Sequence, residues 1–210
     1  MIGVIVASRG LVFSKTMESI FINTKGKDWN LYMAHDLPLP KCFNVPLNRA
    51  LSDKCDLIWF VEEDMVIPEG TLDKMLKMIE NGDTVVSTNY ANKHNGDSFT
   101  YEDRRGEILF TGMGCMLLDS KVFNDMQKPY IRQGTFWVKE DSSNKIYLEY
   151  HPEIPQKGYG TQDVYLCYQL TKNGNRISLV DAEVGHLKLI EKSNDSSNNG
   201  QHTIKEVYIT

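Results

Sequence analysis

The sequence predicts an α/β protein of one domain, with a mixed sheet flanked by helices. Three observations carry this. Apolar runs of strand length alternate with segments of helical periodicity through the first half of the chain. The run Leu57–Val61 is apolar at every position, as in a strand covered on both faces of a sheet. The second half is irregular enough to break the strict alternation, and 210 residues suit one well-filled core.

In chain order, Ile2–Ala7 reads as a buried strand closed by Ser8-Arg9-Gly10. Phe13–Asn23 follows with Phe13, Met17, Ile20 and Phe21 at helical spacing. Asn30–Ala34 is a second short strand ending at His35-Asp36. The segment LPLPKCFNVP holds three prolines and reads as a crossing loop, so that only Asn48–Lys54 is left for a short helix. After Pro68, Leu72, Met75, Leu76 and Ile79 form one helical face, stopped by Asn81-Gly82. Asp83–Thr88 is the next strand, and the polar stretch Asn89–Gly106 reads as a mobile loop.

Ile108–Asp119 is an apolar segment broken by Gly112 and Gly114, which suggests a bulge or a close approach to a ligand. Ser120–Met126 reads as a brief helix, and Phe136–Val138 with Lys145–Tyr150 as a hairpin. A helix follows Tyr159-Gly160-Thr161-Gln162-Asp163, with Val164, Leu166, Cys167 and Leu170 inward. Arg176–Val180 is a strand running on to Val184-Gly185-His186-Leu187. The Ser/Asn/Asp-rich stretch from Ser193 to Gly200 reads as a flexible loop before a last strand, Ile204–Ile209.

Composition narrows the class. A hydrophobic share of 41% with 24% charged residues is that of a soluble globular chain. No apolar stretch approaches the roughly 20 residues of a bilayer span. The N-terminus MIGVIVASRG has no basic n-region and reads as a strand, not a signal peptide. Cys42, Cys55, Cys115 and Cys167 form no CxxC pair, which fits reduced thiols in the cytoplasm better than a zinc or disulfide framework. A formal charge of −5 argues against general nucleic-acid binding, although it leaves room for a local basic groove.

The most informative stretch is LIWFVEEDMVIP, Leu57–Pro68. Three adjacent acids, Glu62, Glu63 and Asp64, stand at the C-terminal end of the most apolar strand. Their repulsion and desolvation call for a cation, and ligands of open α/β sheets collect at that edge. A divalent ion carrying phosphates answers both demands. A strand running into a solvated acidic turn is the plainer alternative.

Four segments, LNRALSDKCDLIWFVEEDMVIP, TGMGCMLLDSKVF, YGTQDVYLCYQLTKNG and VGHL, occur in an order that resembles the GT-A class of nucleotide-sugar-dependent glycosyltransferases. The resemblance spans roughly Ile2 to Leu187 and implies a GT-A-like, Rossmann-type mixed sheet. It sets Glu62-Glu63-Asp64 in the DxD place, with the longer Glu62 as first acid, and Gln162-Asp163 in the place of a Glu-Asp pair. It divides the domain into a nucleotide- and metal-binding half over 1–88, an acceptor-side half over 89–192 and the loop 193–200.

The roles follow from the resemblance and the chemistry together. Asp64 and His186 are the expected metal ligands, an oxygen–imidazole set for Mn²⁺ or Mg²⁺ that offsets the charge of a leaving diphosphate. Asp163 is the expected base for an acceptor hydroxyl, although a helix N-terminus lowers a carboxyl pKa. Ser8, Arg9 and Asp36 fall where the nucleotide base and ribose are expected, Arg49 toward the diphosphate, and Met113 and Gly114 on the sugar or acceptor side. Trp137 and Tyr159 are candidates for stacking on a sugar.

Each residue also has a plain alternative: a hydrogen-bonded histidine for His186, a helix cap for Asp163, a solvated charge for Arg49 and packing for the aromatics. The expected activity is inverting sugar transfer from a nucleoside-diphosphate sugar, a UDP-sugar first among donors. The acceptor would be a glycan, a protein or a hydroxymethylated DNA base. Nucleotidyl transfer, or nucleotide or sugar binding without catalysis, are the alternatives.

Overall fold

The structure is a computed structural model that describes residues 1–8, 10–92, 96–151, 162–191 and 202–209. A mixed eight-stranded sheet forms its centre. Along the sheet run β12 (His202–Val207), β11 (Ile177–Glu191), β5 (Val85–Tyr90), β8 (Cys115–Asp119), β3 (Leu57–Glu62), β1 (Ile2–Ala7) and β2 (Trp29–Ala34), while the short β4 (Met65–Val66) pairs with β11. β1, β2 and β3 are mutually parallel. β8 runs antiparallel to both β3 and β5, and β11 is parallel to β5. This is the α/β class with a mixed sheet that the sequence predicts.

Period-two alternation in β3 sends Ile58 and Phe60 to one face and Trp59 and Val61 to the other. The first face is covered by α2 (Lys41–Ser52) and α4 (Gln162–Lys172), the second by α1 (Ser14–Thr24) and α3 (Thr71–Glu80). Every side chain from Ile58 to Phe60 is fully buried, each contributing roughly 1.5–3 kcal/mol of burial. A strand so stabilised is a rigid base for the acids that follow it.

Two expectations are corrected here. LPLPKCFNVP is not a loop throughout: α2 begins at Lys41 and carries Pro46 inside it. Proline removes one N–H donor, yet Cys42, Phe43, Leu47 and Ala50 make an apolar face that the sheet buries, and that burial outweighs the loss. Asn89–Gly106 is not irregular throughout either. Asn89 and Tyr90 complete β5, and β6 (Tyr101–Glu102) pairs with β7 (Ile108–Phe110). Ile108–Asp119 accordingly splits into β7 and β8, with the glycines between them. The hairpin expected in the second half is present as β9 (Thr135–Glu140) and β10 (Ile146–His151). Among the described residues no helix is long and apolar enough to cross a membrane.

Candidate metal centre

Three strand ends leave the sheet together. Ala7 is in register with Ala34 on one side and Glu62 on the other, so the residues following β1, β2 and β3 emerge at one edge. The chain turns at Glu63-Asp64 and re-enters as β4. That turn is anchored through its backbone. Glu63 O accepts from Phe13 N at 3.0 Å and Thr16 Oγ1 at 3.0 Å, and Asp64 O accepts from Leu187 N at 2.7 Å. β4 pairs antiparallel with β11, which sets Met65 opposite His186. β11 reaches this position because its register on β5 shifts between Val180 and Val184.

The result is a cluster. Glu62, Asp64 and His186 each offer a ligand atom, and these atoms lie within 4.8 Å of one another. Asp64 and His186 are buried and Glu62 is half-buried. His186 Nδ1 stands 3.0 Å from the carbonyl of Ala91, an acceptor only, so Nδ1 carries the proton and donates it. Nε2 of the neutral ring is then a lone pair, 3.1 Å from Asp64 Oδ1 and not aligned on it as a hydrogen bond. A lone pair facing a carboxylate in a buried place is repulsive unless a cation lies between them or the ring takes a second proton. Burial lowers the imidazole pKa, but the adjacent Asp64 carboxylate outweighs it and holds the pKa above its ordinary value. Two carboxylates and an imidazole fixed by a backbone carbonyl fit Mn²⁺ or Mg²⁺.

Asp163, in the first turn of α4, is also buried, and its Oδ1 has no hydrogen-bond partner. Burial pushes its pKa from 3.8 to about 7, so desolvation overcomes the lowering expected at a helix N-terminus.

Tyr90, which falls in the stretch expected to be a loop, packs against the cluster. It is fully buried, packs edge-on against His186 at 5.6 Å between ring centres, and accepts a hydrogen bond from Gly114 N at 2.9 Å. Burial, together with the charges of Glu62, Asp163 and Asp64, raises its pKa well above 10, so the phenol stays protonated. A Cβ on Gly112 would meet the Tyr90 hydroxyl at 1.9 Å, and one on Gly114 would meet Tyr90 and Met65 Sδ at 2.8 Å. The two glycines therefore accommodate the ring of Tyr90. Gly114 also accepts from Glu62 N at 3.1 Å, which ties the first acid to the same segment. The glycine pair was the one sequence signal that a bulky neighbour lay here.

The remaining candidates divide. Ser8 is buried, and its hydroxyl is engaged in the turn, accepting from Gly10 N at 3.0 Å and donating to Leu11 O at 2.9 Å. Asp36 is exposed with φ of 55°, and its Oδ1 lies beside Gly10, at the edge where the acids emerge. Glu63 is half-buried beside Glu62. Met113 is buried within the core on the α2 and α4 face. Trp137 lies on β9, edge-on to His151 at 6.4 Å between ring centres. Arg49 is exposed in the last turn of α2, beside Ala50, which packs on Gly3 near the start of β1. Arg9, Tyr159 and the Ser193–Gly200 loop lie outside the described residues.

No family model matches the chain, and no curated protein matches it in sequence. Among solved structures the chain is similar to A197 from STIV, with 15% identity over 88% of this chain and 84% of that one and a TM-score of 0.61. It is also similar to a 4-diphosphocytidyl-2C-methyl-D-erythritolsynthase from Anaerococcus prevotii DSM 20548, with 12% identity over 87% and 88% and a TM-score of 0.45. The likeness to A197 is one of fold. The second superposition is too loose to carry anything further.

Proposed function

We propose that this chain is a metal-dependent glycosyltransferase of the GT-A type, moving a sugar from a nucleoside-diphosphate donor to an acceptor hydroxyl with inversion. The observation that carries the reading is the convergence of Glu62, Asp64 and His186 at one sheet edge. A further buried carboxyl, Asp163, has its pKa raised to about 7, and its charge acts with those of Glu62 and Asp64 on Tyr90. Asp64 and His186 would hold Mn²⁺ or Mg²⁺, and Glu62 completes the set. Bound there, the ion supplies Lewis-acid neutralisation of the diphosphate.

Asp163 takes the proton of the acceptor hydroxyl. The hydroxyl oxygen then bonds to the anomeric carbon as the bond from that carbon to the phosphate oxygen breaks, and a single displacement inverts the centre. A carboxyl pKa near the working pH suits this role, because the group is partly free to accept and still basic enough to pull. Ser8, Arg9 and Asp36 would flank the nucleoside of the donor, a UDP-sugar first among candidates, and Gly114 the sugar. The acceptor belongs to the class of glycans, proteins or hydroxymethylated DNA bases.

Nucleotidyl transfer is the second reading, because the same donor atoms serve a nucleoside triphosphate and the turn after β1 opens at the same edge. Its usual glycine-rich, basic loop is represented only by Ser8-Arg9-Gly10. One experiment separates the readings. The protein is incubated with Mn²⁺ and either a panel of nucleotide sugars or nucleoside triphosphates with sugar phosphates, and the released phosphate species is identified. Release of nucleoside diphosphate that Asp64→Ala abolishes supports sugar transfer. Release of pyrophosphate alone moves the assignment to nucleotidyl transfer, and stabilisation by nucleotide without turnover leaves a binding domain.

A further inference from the structure

At the far end of α4 lies a cleft unrelated to the metal centre. It has a volume of about 630 Å³ and is lined by the C-terminal turn of α4, the start of β11, β7 and the β10 strand. Asp163 and Lys172 stand nine residues apart on α4, so the two places are separated by roughly 14 Å of helix.

The charge of this cleft opposes that of the chain. Arg105, Lys145, Lys172 and Arg176 line it against one acid, Glu107, in a protein of net charge −5. Arg105 is already engaged, by Asp103 at 3.1 Å and Glu107 at 3.2 Å, and the charge of Lys145 contributes to lowering the pKa of Asp141. Lys172 and Arg176 are exposed, and among the described residues neither has a carboxylate within ion-pair distance. The helix end itself does not supply the missing anion. The carbonyls of Gln169, Leu170 and Thr171 are taken up by Asn173, Asn175 and Gly174, the last with φ of 80°.

Aromatic faces accompany the cations. Tyr147 is 41% exposed at the cleft wall, and the ammonium of Lys172 rests over the ring of Tyr168 at 5.5 Å. Phosphate-binding cations beside an open aromatic face, here that of Tyr147, are the recognition chemistry of single-stranded nucleic acid. An acidic peptide would use the charges and leave Tyr147 idle. A membrane surface would meet a concave wall.

We propose that this cleft binds a short stretch of single-stranded nucleic acid, its phosphates on Lys145, Lys172 and Arg176 and a base on Tyr147. The assignment goes beyond the transfer reaction and does not depend on it. Three phosphate contacts on a single strand give a slope of log affinity against log salt of about −2. The net negative chain keeps binding weak and local.

The test is fluorescence anisotropy of a labelled oligothymidylate six nucleotides long, titrated with the whole protein at several salt concentrations. Binding should follow that slope. Lys172→Glu with Arg176→Glu should weaken it by more than tenfold, while reversing Lys25 and Lys77 on the opposite face of the sheet should change it less than twofold. Tyr147→Ala, a surface change on a hairpin, should weaken it about tenfold through lost stacking. Melting curves of each variant verify folding. Equal losses from both charge reversals, binding insensitive to Tyr147→Ala, or displacement by thymidine monophosphate as effective as by the unlabelled strand would each overturn the proposal.

Discussion

His186 Nε2 stands 3.1 Å from Asp64 Oδ1 while Nδ1 of the same ring faces the carbonyl of Ala91 at 3.0 Å. The carbonyl fixes the tautomer, and the fixed tautomer aims a lone pair at a carboxylate. Such an arrangement is stable with a cation between the two groups or with a second proton on the ring. The raised pKa of His186 favours that proton when no ion is bound, and a metal ion would displace it. We therefore expect UDP with Mn²⁺ to raise the melting temperature of the protein, and the increase to vanish in Asp64→Ala. At a hundredfold excess over Kd the stabilisation is about 2.7 kcal/mol, roughly 5–10 °C for a chain of this size. His186→Ala should weaken the response to Mn²⁺ more than the response to Mg²⁺, since imidazole favours the former. Differential scanning calorimetry with each metal checks both statements, and an unaltered shift in Asp64→Ala would remove the ion from this place.

Tyr90 and the glycines form one packed unit, so their substitutions should not add. Gly112→Ala sets a methyl 1.9 Å from the Tyr90 hydroxyl and should cost about 1–3 kcal/mol of stability. Tyr90→Leu removes the obstacle together with the Gly114 hydrogen bond. In the double variant the cost of Gly112→Ala should largely disappear. Urea unfolding of the four proteins gives the coupling energy directly, and additive losses would mean that the glycine is needed for some other reason.

Asn23 holds the chain beyond the acid turn. It is buried on α1, donates from Nδ2 to Pro68 O at 3.1 Å, and accepts Leu72 N at 3.1 Å through Oδ1. Leu72 N is one of the orphan donors of the first turn of α3, whose own cap residue, Gly70, supplies no side chain. Asn23 thus caps a helix from a neighbouring one. Asn23→Ala should cost about 1–3 kcal/mol, because it leaves buried polar groups unmet. Faster hydrogen exchange should appear at the start of α3 before it appears in β3.

These relationships explain which parts of the molecule were legible in the sequence. β1 and β3 were plain because a strand covered on both faces must be apolar at each position, and the edge to which β3 delivers Glu62 follows from its direction. α2 was hidden because Pro38 and Pro40 precede it and Pro46 lies inside it, and the burial that offsets Pro46 is tertiary. The pairing of β4 with β11 depends on two residues, Met65 and Val66, meeting a strand some 120 positions away, and no local pattern announces it. Tyr90 was missed for the same reason. It stands where a polar stretch begins, and only the space left by Gly112 and Gly114 makes its position meaningful.

Asp163 offers the sharpest test, because its stability and rate effects have opposite signs. Its carboxyl, with one oxygen unpartnered, has its pKa raised by burial from 3.8 to about 7. Between those two values the folded protein binds a proton that the unfolded chain has released. Stability therefore falls as pH rises from about 4 to about 7, and the cost of the buried charge is present in full above that range. Asp163→Asn removes the charge and keeps the size. The variant should be more stable than the parent at pH 8 by about 1–3 kcal/mol, with the gain shrinking toward pH 4. If the group is the base, the same substitution should lower kcat by about two to four powers of ten and leave the affinity for UDP with Mn²⁺ unchanged. The parent's kcat/KM should rise with pH through about 7, a limb that the variant lacks. Thermal melts across pH give the first result, and steady-state rates with the donor identified by product release give the second. A buried carboxylate that destabilises the fold and can be removed without loss of rate would be a packing feature of α4, and the base would have to be sought elsewhere.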